Sequence, residues 1–231
     1  MPDPSQGVFE TLLVRDGRLQ ALRRHLDRMA TSVDELYGLV LPDRLSDAVR
    51  RRASGLSGAH RLRVDAIPAN GALSVSLETT VLSGRPRRFT CVPVTIPSGH
   101  GAHKWRDRAA LGGGPDVPLV VDEHGSVLEA AWANVWLLEG RRISTPPADG
   151  RLLAGVTRAR LLALAPSLGL EAAERPIALA EARSAPGLLL TSSLSLVAAA
   201  TLDVESAPDD RIVDMIRTAL EADDWDDPPR C

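Results

Sequence analysis

Of the 27 lysine and arginine residues in the chain, one is a lysine, Lys104. It stands in the stretch GHGAHKWRDRAALGG, residues 99–113, with glycines on both sides. A guanidinium stays protonated in proteins, whereas an ε-amine can shed its proton and attack a carbonyl. One retained lysine in an arginine-biased chain therefore points to amine chemistry. The alternative is a solvated surface lysine of no special role.

Other residues could take part. Gly155, Val156, Thr157 and Arg158 open a predicted helix. The free N–H groups and dipole of a helix N-terminus favour a phosphate. The run LTSSLSLV offers Thr191, Ser192, Ser193 and Ser195, either as phosphate-facing hydroxyls or as a polar turn. His25 and Arg28 are three apart on a predicted helix and share a face, away from its apolar stripe. Arg61 and Arg63 alternate onto one side of a strand, where they receive carboxylates or border solvent. His103 beside Lys104 is not joined by further ligands, so no metal site is read.

Taken in order, Lys104, Glu129, Ala131, Asn134, Val135, Trp136, Thr145, Pro146, Gly155, Val156, Thr157 and Arg158 resemble the motifs of the class IV aminotransferases. That pyridoxal-phosphate family includes branched-chain and D-amino-acid aminotransferases and 4-amino-4-deoxychorismate lyase. The stretch GVFETLLVRDGRLQALRRHLDRM resembles the family's entry segment and its HxxR pattern. The resemblance runs from about Gly7 to Thr201.

The resemblance implies roles. Lys104 holds pyridoxal 5'-phosphate through an imine and then serves as acid and base. Glu129 faces the pyridine nitrogen and keeps it protonated. The backbone amides of Val156 and Thr157 receive the phosphate, with Arg28 and a hydroxyl from Ser193 or Ser192. Arg158 braces the phosphate loop and Asn134 holds the loop around Glu129. Trp105 packs. Trp132 and Trp136 depart from the family's usual residues, and Trp132 adds bulk near the site.

Three readings of the reaction follow. The first is a lyase resembling 4-amino-4-deoxychorismate lyase, releasing pyruvate and 4-aminobenzoate. The short chain, the Lys104-x-x-x-Arg108 spacing and the FETLLVRDGRL segment favour it. The second is an aminotransferase acting on branched-chain, D- or other amino acids with a 2-oxo acid. The third is a cofactor-free binding or scaffolding relative. A homodimer is implied by the resemblance.

The elements that must position these residues read as α/β. Strands flank a turn at Asp16-Gly17, and a helix with apolar Leu22, Leu26, Met29, Ala30, Val33, Leu36 and Tyr37 follows. A second helix starts at Pro42, then come strands at HRLRVDAI, ALSVSLETT and RRFTCVPV. Strands are expected at PLVVD, ANVWLLEG, RRIST and PGLLLTSSLSLVAAATL, and helices from Gly155 to about Leu168 and over DDRIVDMIRTALEA. The tail DDWDDPPRC reads as frayed. The expected architecture is two domains in a D-amino-acid-aminotransferase-like fold, with the cofactor between them. A small N-terminal domain covers 1–96, a linker 97–103 and a larger barrel-like domain 104–231.

Composition sets bounds. The net charge of -3 supplies no basic field for nucleic acid. No apolar run reaches the length of a membrane span. Two cysteines, Cys91 and Cys231, make no disulfide framework, and a cytoplasmic protein binding a small amino-acid-like molecule is expected.

Overall fold

The fold is taken from a computed structural model that describes residues 2–84, 87–202 and 208–226. The predicted tail beyond 226 and Cys231 lie outside the described residues. Chain contacts separate two compact units. One comprises 2–84, 103–108 and 223–226; the other comprises 87–102, 109–202 and 208–222.

The first unit begins with β1 (Val8–Arg15) and β2 (Arg18–Gln20), joined at Asp16 and Gly17, both with positive φ. These are conformations that a two-residue hairpin turn requires and that Gly17 adopts without strain. Helices α1 (Leu22–Tyr37) and α2 (Leu45–Ser54) follow, then β3 (Ala59–Ala69) and β4 (Ala72–Val81). β1 pairs antiparallel with β3 over eight residues, from Val8↔Ala66 to Arg15↔Ala59. The two-residue period puts Val8, Glu10, Leu12 and Val14 on the face that joins the apolar core with Leu22, Met29 and Val33 of α1. Glu10 is the one charged group in that row.

The buried stripe of α1 is Leu22, His25, Met29, Ser32 and Val33. It is rotated from the expected apolar stripe so that His25 is buried rather than solvated. The rotation follows from Glu10, which draws His25 and Arg28 toward β1. Trp105 joins the same core.

The second unit contains β5 (Arg88–Thr95), β6 (Val117–Val121), β7 (Val127–Ala130), β8 (Ala133–Glu139), β9 (Arg142–Thr145), α3 (Val156–Leu164), β10 (Glu171–Glu174), α4 (Leu179–Ser184), β11 (Leu188–Ser192), β12 (Leu196–Thr201) and α5 (Asp210–Ala222). Its sheet runs β10-β9-β8-β11-β12-β5-β6-β7, and β7 returns to pair with β8. Six strands thus close on themselves, with β9 and β10 as an extension. Closure removes the exposed edges that would otherwise template pairing with other chains. Val135, Leu137, Leu190, Leu119, Val117, Cys91 and Ala200 fill one core. The mixed α/β reading with a barrel-like second half is what is found.

Two placements differ from the sequence reading. β5, grouped there with the first ninety residues, is hydrogen-bonded between β12 and β6 in the second sheet. The segment carrying Lys104, grouped there with the later domain, packs with the first unit. In addition, β13 (Trp225–Asp226) pairs with Gln20 and Leu19 of β2, although the sequence reads this stretch as frayed. Gln20 and Ala21 anchor it through Asp223 and Asp224 backbone oxygens, and Arg24 pairs with Asp224 at 2.8 Å.

Candidate active site

In the first unit, Lys104 is pinned by backbone pairing. The Phe9 N–H donates to Lys104 O at 2.9 Å, Val8 and Trp105 form an antiparallel bridge, and Arg106 N–H donates to Gly7 O at 3.0 Å. The segment 104–106 thus lies along the start of β1. Lys104 is half-buried, and its Nζ stands 4.9 Å from the centroid of the Phe9 ring. The preceding residue is tied to α1: His103 Nδ1 meets Ser32 Oγ at 3.1 Å, and the His103 ring packs edge-on to Trp105.

One residue beyond Phe9, Glu10 is 1% exposed and accepts hydrogen bonds from the Thr11 N–H and from two side chains of α1. Arg28 donates from Nε at 2.7 Å and from Nη2 at 2.8 Å, and His25 Nδ1 lies 2.7 Å away. Burial opposes ionisation of Glu10, but Arg28 and His25 outweigh it and hold the carboxyl well below its usual range. Because a carboxylate can only accept, His25 carries its proton on Nδ1. Burial pushes the His25 pKa down; Glu10 opposes this, while the charges of Arg28 and Lys104 add to it. Glu10 and Phe9 were not singled out in the sequence. The available signal was an acidic residue at an inward position of an otherwise apolar β1 row, facing an HxxR helix.

Arg63 and Arg61 have separate fates. Arg63 lies 3.9 Å above the Phe9 ring and grips Asp65 through Nε and Nη2. Arg61 turns to Glu78 at 3.0 Å and Thr80 at 3.1 Å. Of the two, only Arg63 shares an aromatic neighbour with Lys104.

In the second unit, register aligns the polar residues. Glu129 on β7 opposes Asn134 on β8, and Asn134 opposes Thr191 on β11. Directly opposed residues share a sheet face. Glu129 is buried, and its Oε2 accepts the Leu153 N–H at 3.3 Å. Asn134 Nδ2 donates to Leu153 O at 2.8 Å. The two side chains therefore hold Leu153 at both of its polar backbone groups. This fixes the loop that leads into α3.

At that loop's end Gly155 is the N-cap of α3, and an added Cβ would come within 1.8 Å of Asn134 Oδ1. Glycine is needed there for close approach, not for its φ of -68°. The first amides of α3 have no intrahelical acceptor. Thr157 is buried and its Oγ1 has no hydrogen-bond partner. Arg158 is also buried; it donates to Pro146 O at 2.9 Å and pairs with Glu174.

Ser192 and Ser193 are half-buried in the β11–β12 turn, where Ser192 Oγ accepts the Ser195 N–H at 3.3 Å. Thr191 accepts from Trp136 Nε1 at 3.0 Å, so the substituted aromatic ties β8 to β11. Trp132 packs edge-on to Phe89 with centroids 4.8 Å apart. Among the described residues no group of three or more His, Cys, Asp or Glu could hold a metal ion, and no helix is long and apolar enough to cross a membrane.

Residues 98–202 match the family model for amino-transferase class IV. A fold IV-transaminase from Curtobacterium pusillum superposes with a TM-score of 0.80 at 26% identity, covering 95% of this chain and 87% of that one. Over residues 98–202, just under half of its length, the chain is similar to the class IV aminotransferases. A Methanocaldococcus jannaschii protein provisionally assigned as a branched-chain-amino-acid aminotransferase is 24% identical over 221 residues, covering 81% of this chain and 75% of that protein. A Legionella pneumophila structure provisionally assigned as a 4-amino-4-deoxychorismate lyase has a TM-score of 0.81 at 19% identity, covering 94% of this chain and 91% of that one, a likeness of fold.

The chain is an enzyme of the pyridoxal-phosphate-dependent transferase and lyase type, which overturns the cofactor-free reading. Class IV aminotransferases use pyridoxal 5'-phosphate. The order of the other two readings reverses: relatives named as branched-chain aminotransferases back the aminotransferase better than the lyase. The second unit carries features suited to a phosphate: a buried hydroxyl lacking a partner at the first turn of α3, and a glycine whose Cβ would collide with the clamp.

Proposed function

We propose that the chain is an aminotransferase moving an amino group between an amino acid and a 2-oxo acid, with branched-chain donors foremost. The likeness to relatives named as branched-chain aminotransferases carries this reading over the lyase, and the buried, unpartnered Thr157 hydroxyl at the first turn of α3 supports its phosphate-bearing cofactor. Leaving such a group unsatisfied costs about 1–3 kcal/mol, and a phosphate oxygen removes that cost.

Bound pyridoxal phosphate would supply an electron-accepting ring that stabilises negative charge on the substrate's α-carbon. The chain's residues do the rest. Lys104 would hold the cofactor and, once released, take the proton from the α-carbon at Nζ. Glu129, oriented by the Leu153 N–H, would accept a hydrogen bond from the protonated ring nitrogen. The Val156 and Thr157 amides, the Thr157 hydroxyl, a Ser192 or Ser193 hydroxyl and Arg28 would bind the phosphate. Glu10 sets the orientation of Arg28. Arg63 would receive a substrate carboxylate, while Arg61 is engaged by Glu78 and Thr80. The proposal includes a cytoplasmic homodimer, which sedimentation of the purified chain tests for its oligomeric part.

Two assays decide. Borohydride reduction of the protein with pyridoxal phosphate should add one cofactor mass to the Lys104 peptide. Incubation with branched-chain amino acids and 2-oxoglutarate should form glutamate. Pyruvate and 4-aminobenzoate from aminodeoxychorismate, without glutamate formation, would instead establish the lyase. That second reading draws on the Lys104 and Arg108 pair, whose side chains reach the same aromatic ring.

A further inference from the structure

The loop before α3 is held at every second residue. At Leu153, Glu129 Oε2 accepts the N–H at 3.3 Å and Asn134 Nδ2 donates to the carbonyl at 2.8 Å. At Gly155 the backbone closes on Asn134. At Arg151 both side chain and backbone are engaged. Its Nε and Nη2 donate to Asp149 Oδ2 at 2.9 and 2.8 Å, and its Nη1 donates to Asp122 Oδ2 at 2.7 Å. Its carbonyl accepts the Gly101 N–H at 3.2 Å, and a Cβ at Gly99 would lie 2.1 Å from that oxygen.

Asp122 is the fixed end of this arrangement. It is buried, and its Oδ1 accepts the His124 and Ser126 N–H groups at 2.9 and 2.8 Å. Burial opposes its ionisation, but the Ser126 and His124 N–H groups and Arg151 outweigh it. The turn it builds leads directly into β7, which carries Glu129. Arg151 therefore ties the entry to Glu129's strand to the loop whose N–H meets Glu129's carboxylate. At 3.3 Å that Leu153 bond is at the long end of the range, so a small shift of the loop breaks it.

We propose that Arg151 is a positioning residue: acting through the Leu153 N–H, it holds Glu129 in the orientation that pairs with the cofactor's ring nitrogen. A planar fork gripped from two sides has little freedom, and Leu153, two residues on, inherits its placement. The proposal rests on the reading above in taking Glu129 as the partner of that nitrogen.

Titration of the cofactor-free protein with pyridoxal phosphate and with its deaza analogue, in which C–H replaces the ring nitrogen, tests this without turnover. Both compounds carry the same phosphate and aldehyde. Comparing the ratio of their Kd values between proteins cancels every contribution except that of the nitrogen. Glu129→Gln should lower the preference for pyridoxal phosphate about tenfold, the worth of one charge-assisted bond. Arg151→Met, which leaves Glu129 in place, should lower it at least about threefold, since a misplaced carboxylate forfeits part of that bond. Arg151→Lys, which keeps one charged donor, should fall between Arg151→Met and wild type, and it carries the test if Arg151→Met fails to fold. A wild-type ratio in the Arg151 variants beside a lowered one in Glu129→Gln overturns the proposal. So does an equal weakening of both compounds, which marks Arg151 as merely structural. An unchanged ratio in Glu129→Gln overturns the role given to Glu129 itself, and the proposal with it.

Discussion

Glu10 gives one carboxylate oxygen to Arg28 Nε at 2.7 Å and the other to Arg28 Nη2 at 2.8 Å, so the guanidinium has a single allowed orientation. Replacing Glu10 with Gln keeps the volume but leaves the half-buried Arg28 beside a neutral amide. Breaking one partner of such a buried pair costs about 3–5 kcal/mol. Chemical denaturation should record a loss of that size. If Arg28 binds the cofactor phosphate as proposed, pyridoxal phosphate affinity should fall more than pyridoxal affinity.

The same cluster sets the acid limit of stability. His25 has its folded pKa lowered, chiefly by burial. The unfolded chain therefore binds a proton near pH 6.5 that the folded chain refuses, and stability falls as pH drops through that value. Glu10 has its folded pKa lowered too, so its contribution is present above the usual carboxylate range and is lost as pH falls below it. Thermal midpoints measured from pH 8 to pH 4 should decline in two stages. A His25→Asn variant should show a smaller upper stage, the remainder coming from His103, which burial also lowers; an undiminished upper stage would refute this account.

Thr157→Val exchanges an unpartnered buried hydroxyl for a methyl of similar shape. The protein without cofactor should be as stable as wild type or gain about 1 kcal/mol. Binding of pyridoxal phosphate should weaken about tenfold, with pyridoxal unaffected. Spectroscopic titration with both compounds separates the outcomes.

Ending the chain at Ala222 removes the backbone oxygens that accept from Gln20 and Ala21, the Arg24–Asp224 pair and the β2–β13 ladder. The hydrogen bonds alone are worth about 2 kcal/mol. The truncated protein should unfold at lower denaturant concentration, with the loss confined to amides of β1 and β2 in hydrogen exchange. Unaltered protection there would contradict a structural role for the tail.

Much of this was legible in residue spacing. The Asp16-Gly17 turn, the apolar rows of β3 and β8 and the helix opening at Val156 follow from short-range rules. What escaped detection depends on distant pairing. Glu10 reads as an ordinary strand carboxylate until His25 and Arg28 are brought across from α1. β7 is four residues long and needs β6 and β8 on either side to be a strand. Trp225 lies among acidic residues with no pattern of its own, and only Gln20 makes it a strand. The partnership of Glu129 and Asn134 through Leu153 spans about twenty residues of intervening chain, beyond any local motif.

The first unit is assembled from three pieces of chain, and Lys104 belongs to the middle piece. During synthesis the hairpin, helices and β3–β4 emerge first but await a strand that follows β5 of the other unit. Their final edge, β13, follows every other described strand and helix in chain order. An uninterrupted fragment holding every described piece of this unit must run from residue 2 to residue 226. Dissection of this enzyme must therefore proceed by substitution or by complementation with separate peptides, not by excising a domain.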